Sequence, residues 1–320
     1  MEEGFRLWAN PSSPHAEGRK AKAALEDARE RVKRALGWQG EVIFTSGASE
    51  ALAIGLGRAK VERRLASAVE HDAVFRAAPD PEVLPVRGGA IDAEALGGGE
   101  RAIAAVQHVN SETGTCLLRD GDGLLRQVRE AGGLLLSDCA QSAGKLALPD
   151  ADMAVVSAHK FGGPIGVGAL LVRDFAMLEP TGGHERGYRQ GTENLAGAMG
   201  MAAALEAGGI ASWRTSEAQR TDFAAALAGE RIAPGLQTSH IVAIAHPSLS
   251  AQALLIRLDA LGFAVSAGSA CSSGTLKKSR VLEGFGVPDD VAARTIRISL
   301  GWNTTPEHLE RFAEAWTALG

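Results

Sequence analysis

Ser157-Ala158-His159-Lys160-Phe161-Gly162-Gly163-Pro164 follows directly on the apolar run 153–156, so one lysine stands between a strand-like stretch and a glycine-rich turn. A short, continuously apolar run of this kind belongs to a strand covered on both faces. Similar runs at 41–45, 101–106, 133–137 and 166–172 read as strands, and helical spacing fills 17–36, 50–57 and 124–131 between them. That alternation predicts an α/β unit with a mostly parallel sheet, whose ligands gather at the carboxyl ends of the strands. Beyond Gly209 the pattern changes to a helix at 217–227, a strand near 240–245, a helix near 251–261 and a closing helix from Pro306. This predicts a smaller α+β unit. The expected division is a large domain at 12–210 and a small domain made of 1–11 and 211–320.

With 320 residues, 45% of them hydrophobic and 22% charged, the chain can bury a full core and is expected to be soluble and globular. A net charge of −5 gives no reason to expect attachment to nucleic acid or to an anionic membrane. No apolar stretch reaches bilayer length and no targeting signal is read, so a cytoplasmic protein is expected. The three cysteines, Cys116, Cys139 and Cys271, are too sparse for a disulfide framework and lack a metal-binding CxxC spacing.

A lysine at a strand end, desolvated among small residues beside a histidine, can act as a Schiff-base amine. Pyridoxal phosphate is the cofactor that most often uses one; a surface lysine in a turn is the alternative. Thr45-Ser46-Gly47-Ala48-Ser49-Glu50-Ala51 combines a strand end, a glycine turn and a helix start, whose free amides and hydroxyls suit a phosphate; an ordinary capped helix start reads the same way. Asp138, in Leu136-Ser137-Asp138-Cys139-Ala140-Gln141, offers a carboxylate at another strand end. It could hold a pyridinium nitrogen protonated, or simply cap a helix. His71, in Glu70-His71-Asp72-Ala73-Val74, could stack on a cofactor ring or serve a structural role.

These segments, together with Asn110-Ser111-Glu112-Thr113, stand in an order that resembles the cysteine desulfurases, class-V aminotransferases of the pyridoxal-phosphate fold type I. The resemblance extends through Asn10-Pro11-Ser12-Ser13-Pro14-His15 and Gly182-Gly183-His184-Glu185-Arg186-Gly187-Tyr188-Arg189-Gln190-Gly191-Thr192. It also includes Ser266-Ala267-Gly268-Ser269-Ala270-Cys271-Ser272-Ser273-Gly274, similar to the loop that carries the family's catalytic cysteine. It therefore covers nearly the whole chain.

The resemblance implies a seven-stranded-type sheet and pyridoxal 5′-phosphate as cofactor. Lys160 would carry the cofactor, Asp138 would pair with its ring nitrogen, Gln141 would bond its ring hydroxyl, and Asn110 would lie beside it and the substrate. Ala48, Ser49, Ser157 and His159 would hold the phosphate, with Ser49 standing where threonine is usual and keeping the hydroxyl. His71 would stack on the ring and serve as a proton donor or acceptor. Arg297, in Ile296-Arg297-Ile298-Ser299-Leu300-Gly301, would grip the substrate carboxylate, with a structural salt bridge as the alternative. Cys271 would take sulfur from L-cysteine as a persulfide, leave L-alanine, and pass the sulfur to an acceptor protein such as an iron–sulfur scaffold. Thr192 would reach the cofactor phosphate of a second subunit, which implies a homodimer.

The stretch 274–282 resembles the long-loop group that serves iron–sulfur assembly. Two departures stand out. The chain starts beyond the family's Asn-Ala-Ala-Thr-Thr-Pro stretch, so Phe5 to Trp8 or a partner is expected to complete the substrate wall, and the isolated protein is expected to be weakly active. Trp302 stands where a polar residue is common. A selenocysteine lyase or related transaminase, and a non-catalytic subunit that activates a partner desulfurase, are the competing readings.

Overall fold

A computed structural model of the protein describes residues 1–97, 99–119, 123–267 and 279–319. The apolar runs become strands of one seven-stranded sheet: β1 (Glu41–Thr45), β2 (Arg63–Ser67), β3 (Glu82–Leu84), β6 (Ala102–Ala105), β7 (Leu134–Asp138), β8 (Met153–Ser157) and β9 (Gly168–Val172), with a small hairpin of β4 (Val86–Arg87) and β5 (Ala90–Ile91) beside it. Their order is β1-β9-β8-β7-β6-β2-β3, and β9 alone runs against its neighbours. The mostly parallel α/β architecture expected from the sequence is therefore the one observed.

Every residue of β7, β8 and β9 is buried, because helices cover both faces. Side chains alternate across the sheet with a period of two. Val42, Phe44, Ala154 and Val156 meet the helices Ala16–Leu36 and Leu195–Glu206, whereas Ile43, Met153 and Val155 meet Ala48–Gly57 on the other face. The opening helix Glu2–Arg6 packs on Leu195–Glu206, which places it against the large sheet's helical layer.

The smaller unit holds an antiparallel sheet, β10 (Glu230–Arg231), β11 (Ile241–Ala245), β12 (Ser266–Ala267) and β13 (Thr295–Ser299), in the order β10-β11-β13-β12. Helices Glu217–Ala226, Ala251–Ala260 and Pro306–Ala318 cover it, with Phe223, Leu254, Leu258, Phe312 and Trp316 in its core. Among the described residues no helix is long and apolar enough to cross a membrane.

One buried ion pair braces the large sheet. Arg29 donates to Glu185 at 2.8 Å and also to the Val42 carbonyl, while Glu185 accepts the Phe44 amide at 2.9 Å. Both side chains are almost wholly enclosed.

Candidate active site

Because β1, β2, β6, β7 and β8 run the same way, Ser46–Ser49, Glu70–His71, Gln107–Asn110, Asp138–Gln141 and Ser157–Lys160 emerge at one edge of the sheet. There they surround a cavity of about 520 Å³, closed on its far side by Arg297 of β13. The site thus lies where the two units meet.

Lys160 sits in a short 3₁₀ turn, Ala158–Phe161, which leaves β8 and is closed by Gly162 at φ 86°. That left-handed backbone favours glycine. A second glycine is required at Gly168, where a Cβ would stand 2.5 Å from the Val156 carbonyl and 2.8 Å from Gly47. Lys160 is exposed by area, but that area faces the cavity, whose walls remove part of its hydration. Burial first, and then the charge of Arg297, hold its pKa below the ordinary lysine value, with Asp138 opposing the shift.

Asp138 ends β7, is 8% exposed, and accepts the Ala140 amide at 2.9 Å. Burial raises its pKa, while the Ala140 amide, His71 and Lys160 counter the rise. A buried carboxylate held by one amide and facing the cavity suits a cationic ring N–H. His71 accepts the Ala73 amide on Nδ1 at 3.1 Å and caps helix Asp72–Ala77, which leaves Nε2 for the cavity.

Ala48 and Ser49 open the ten-residue helix Ala48–Gly57, and amides of a first turn lack intrahelical partners. Ser157 Oγ lies 3.0 Å from His159 Nδ1, and both residues line the same end of the cavity. Burial lowers the pKa of His159, as do Lys160 and Lys145. Backbone amides, hydroxyls and a helix start make a phosphate cradle, so the residues present fit pyridoxal 5′-phosphate.

Arg297 donates to the Ser111 carbonyl at 3.0 Å and to Ser266 Oγ at 2.9 Å, and among the described residues its buried Nε has no partner. Burial lowers its pKa, with Glu112 opposing. A cation that, among the described residues, bonds neutral acceptors and keeps a donor left over calls for an anion.

Asn110 is fully buried and is spent on its own turn. Its Oδ1 accepts from Glu112 N, Thr113 N and Thr113 Oγ1, and its Nδ2 donates to the Val69 carbonyl at 3.2 Å. Its neighbours Val109 and Ser111, and Gln141 across from them, line the cavity. Thr192 is exposed on the loop that follows the His184↔Arg189 bridge, away from its own chain's cavity lining. Cys271 and its loop, 268–278, lie outside the described residues. Cys116 and Cys139 are buried, and burial pushes the Cys139 thiol up to about 12, as expected of packed, inert thiols. Phe5 and Trp8, expected to help wall the site, are 62% and 86% exposed, and neither lines the cavity.

Sequence reasoning missed two carboxyl groups next to the site. Glu70, fully buried, accepts Ser67 Oγ at 2.5 Å and the Gln107 amide at 2.8 Å, and burial pushes it up to about 8. Glu112 accepts Ser279 Oγ at 2.6 Å, and burial pushes it up to about 7. Both stand inside motifs already singled out, but burial is a tertiary property that their spacing does not reveal.

A parallel sheet with a lysine, a buried aspartate and a phosphate cradle at its carboxyl edge defines a pyridoxal-phosphate enzyme of fold type I. The chain belongs to the class-V aminotransferase family, whose model matches residues 2–312. It is 33% identical over 337 residues to a protein named cysteine desulfurase IscS from Dictyoglomus turgidum, covering 94% of this chain and 85% of that one. A cysteine desulfurase of Bradyrhizobium diazoefficiens is 35% identical over 343 residues, covering 93% and 84%. Among solved structures, a NifS-like protein from Rickettsia africae superposes with a TM-score of 0.85 at 25% identity, covering 99% of this chain and 94% of that one. DndA from Streptomyces lividans gives 0.72 at 28% identity, covering 93% and 94%.

Proposed function

We propose that this protein is a pyridoxal-phosphate-dependent cysteine desulfurase. The observation that carries the reading is Arg297, a cation whose buried Nε has no partner among the described residues and which, from the small unit, lines the cavity that holds Lys160 and Asp138. A guanidinium so placed grips an α-carboxylate through both oxygens and sets the α-carbon beside Lys160.

When bound, the cofactor supplies an electron sink for the α-carbon. Ala48, Ser49, Ser157 and His159 would hold its phosphate, and Asp138 would keep a proton on its ring nitrogen. Gln141 would meet its hydroxyl, and His71 would pack on the ring, its Nε2 free to hand on a proton. Asn110 acts from behind the wall by shaping the 110–113 turn, whose Ser111 carbonyl seats Arg297. Lys160, its charge disfavoured by burial and by Arg297, takes the α-proton as a base. The Cys271 thiolate then attacks the substrate sulfur; a sulfur–sulfur bond forms as the carbon–sulfur bond breaks, its electron pair stays on the β-carbon, which takes up a proton, and return of the α-proton gives L-alanine and a cysteine persulfide.

The same reading takes the protein to be a cytoplasmic homodimer in which the exposed Thr192 meets the partner's cofactor phosphate. It hands sulfur to an acceptor protein of the iron–sulfur scaffold kind. Residues 12–210 form the cofactor unit and 211–320 the unit that brings Arg297 and Cys271; of the segment 1–11, expected with the small unit, helix Glu2–Arg6 packs on Leu195–Glu206 of the large one.

The test is L-alanine formation from L-cysteine by cofactor-loaded protein with a reducing thiol present, for wild type and Cys271→Ala. The variant should keep its visible cofactor absorption and make no alanine. Equal alanine from the variant, or none from wild type, overturns the reading.

A further inference from the structure

A second cavity, of about 740 Å³, adjoins the first and shares Gln141, His159, Lys160 and Arg297 with it. Its own contribution is cationic: Lys145 and Arg214 line it, and among the described residues no aspartate or glutamate does. Among the described residues neither cation forms an ion pair; the Lys145 ammonium has a main-chain carbonyl, Gln141 O, as its partner at 2.9 Å. His240 Nε2 donates to that same carbonyl at 3.2 Å from the smaller unit, so the carbonyl and the ammonium are fixed from both sides of the cleft. Burial, and then Lys160, push the Lys145 pKa down to about 8. The remaining wall is mixed: Phe161, Ile241, Trp213, Leu300 and Trp302 give it an apolar part, beside the polar Ser212, Ser299 and Asn303.

We infer that this cavity is a second ligand site, which takes a small organic carboxylate with an apolar or aromatic body. A buried ammonium without a counter-ion is costly, and an incoming anion recovers that cost. The ammonium is already positioned by Gln141 O, so little ordering is needed on binding. One ammonium proton is used by the carbonyl, which leaves two for the carboxylate. Arg297 is committed to the neighbouring cavity by Ser111 and Ser266, so the second carboxylate falls to Lys145 and Arg214. An inorganic anion would satisfy the cations but leave the apolar part of the wall uncovered. The site stands on this geometry and goes beyond the sulfur chemistry, so a protein that makes no alanine would leave it standing.

The experiment is calorimetric titration of the cofactor-loaded protein with phenylacetate, and separately with acetate, sulfate and the neutral 2-phenylethanol. Phenylacetate should bind one per chain, and the other three at least about tenfold more weakly, since each lacks either the charge-assisted bonds or the apolar body. Lys145→Met should weaken phenylacetate about tenfold. Arg214→Ala, at an exposed and unpaired side chain whose loss leaves folding intact, should weaken it about threefold. Absence of phenylacetate binding, unchanged affinity in both variants, or loss of binding in Arg297→Ala alone would overturn the inference, as would sulfate or 2-phenylethanol binding as tightly as phenylacetate.

Discussion

Lys160 and Lys145 are both held below the ordinary lysine range, burial being the first cause for each, yet they keep opposite company. Lys160 faces a buried carboxylate, a phosphate cradle and a guanidinium, on a turn that glycine alone makes comfortable. Lys145 faces a main-chain carbonyl, a second cation and a wall with apolar side chains such as Phe161 and Trp302. The difference teaches that a depressed lysine is not by itself a reacting one. What it does follows from the groups that would hold its reaction partner, and only Lys160 has them.

The sharpest way to break this comparison is to remove each amine in turn. Lys160→Ala should lower alanine formation by at least about 10³-fold, as expected for loss of a proton-transferring group. Lys145→Met should cost about tenfold or less, through a looser Gln141 carbonyl. Equal losses would put both amines in the reaction. A second comparison concerns the guanidinium shared by the two cavities. Arg297→Lys keeps the charge but loses the planar fork, and should lower kcat/KM by about 10–100-fold, mainly through KM for L-cysteine; an effect on kcat alone would move Arg297 away from the carboxylate.

The smallest effect is on stability. Lys145 loses its proton near 8 in the folded chain and near 10.5 when unfolded, so between those values the unfolded chain binds more protons. Stability should therefore rise with pH across that window, by at most about 1.4 kcal/mol per pH unit from this group. Denaturant unfolding of wild type at pH 8 and pH 10 should show a rise that Lys145→Met lacks. A parallel change in the two proteins would show that another group titrates there.

Much of the large sheet was legible in the sequence because β1, β7 and β8 each carry an unbroken apolar run, Val42 to Phe44, Leu134 to Leu136 and Met153 to Val156, as suits strands covered on both faces. β2 was not, because it begins with Arg63 and Arg64; near the sheet's far edge these turn outward, to Glu82 and to the Leu56 carbonyl. Helix Leu195–Glu206 was also missed. It is apolar on every side, packed between the sheet and Ala16–Leu36, and so has no amphipathic stripe to read. The strand-end residues of the candidate site could be read because short motifs carry them. The inward turn of Asn110 onto Thr113, and the burial of Glu70 and Glu112, depend on neighbours from distant segments. The Lys145 cavity gathers residues from five parts of the chain, with no local pattern to announce it.

The pair formed by Arg29 and Glu185 has a consequence beyond bracing. β1 is an outermost strand of the sheet, and the main-chain groups of Val42 and Phe44 that engage this pair are ones a further strand would otherwise occupy. An open strand edge is a template for recruiting another molecule. Here two charged side chains take the place of the missing neighbour: a guanidinium answers a carbonyl and a carboxylate answers an amide. The net stabilisation from so deeply buried a pair is modest. Its effect is to end the ladder, so that this side of the sheet does not seed polymerisation of the folded chain.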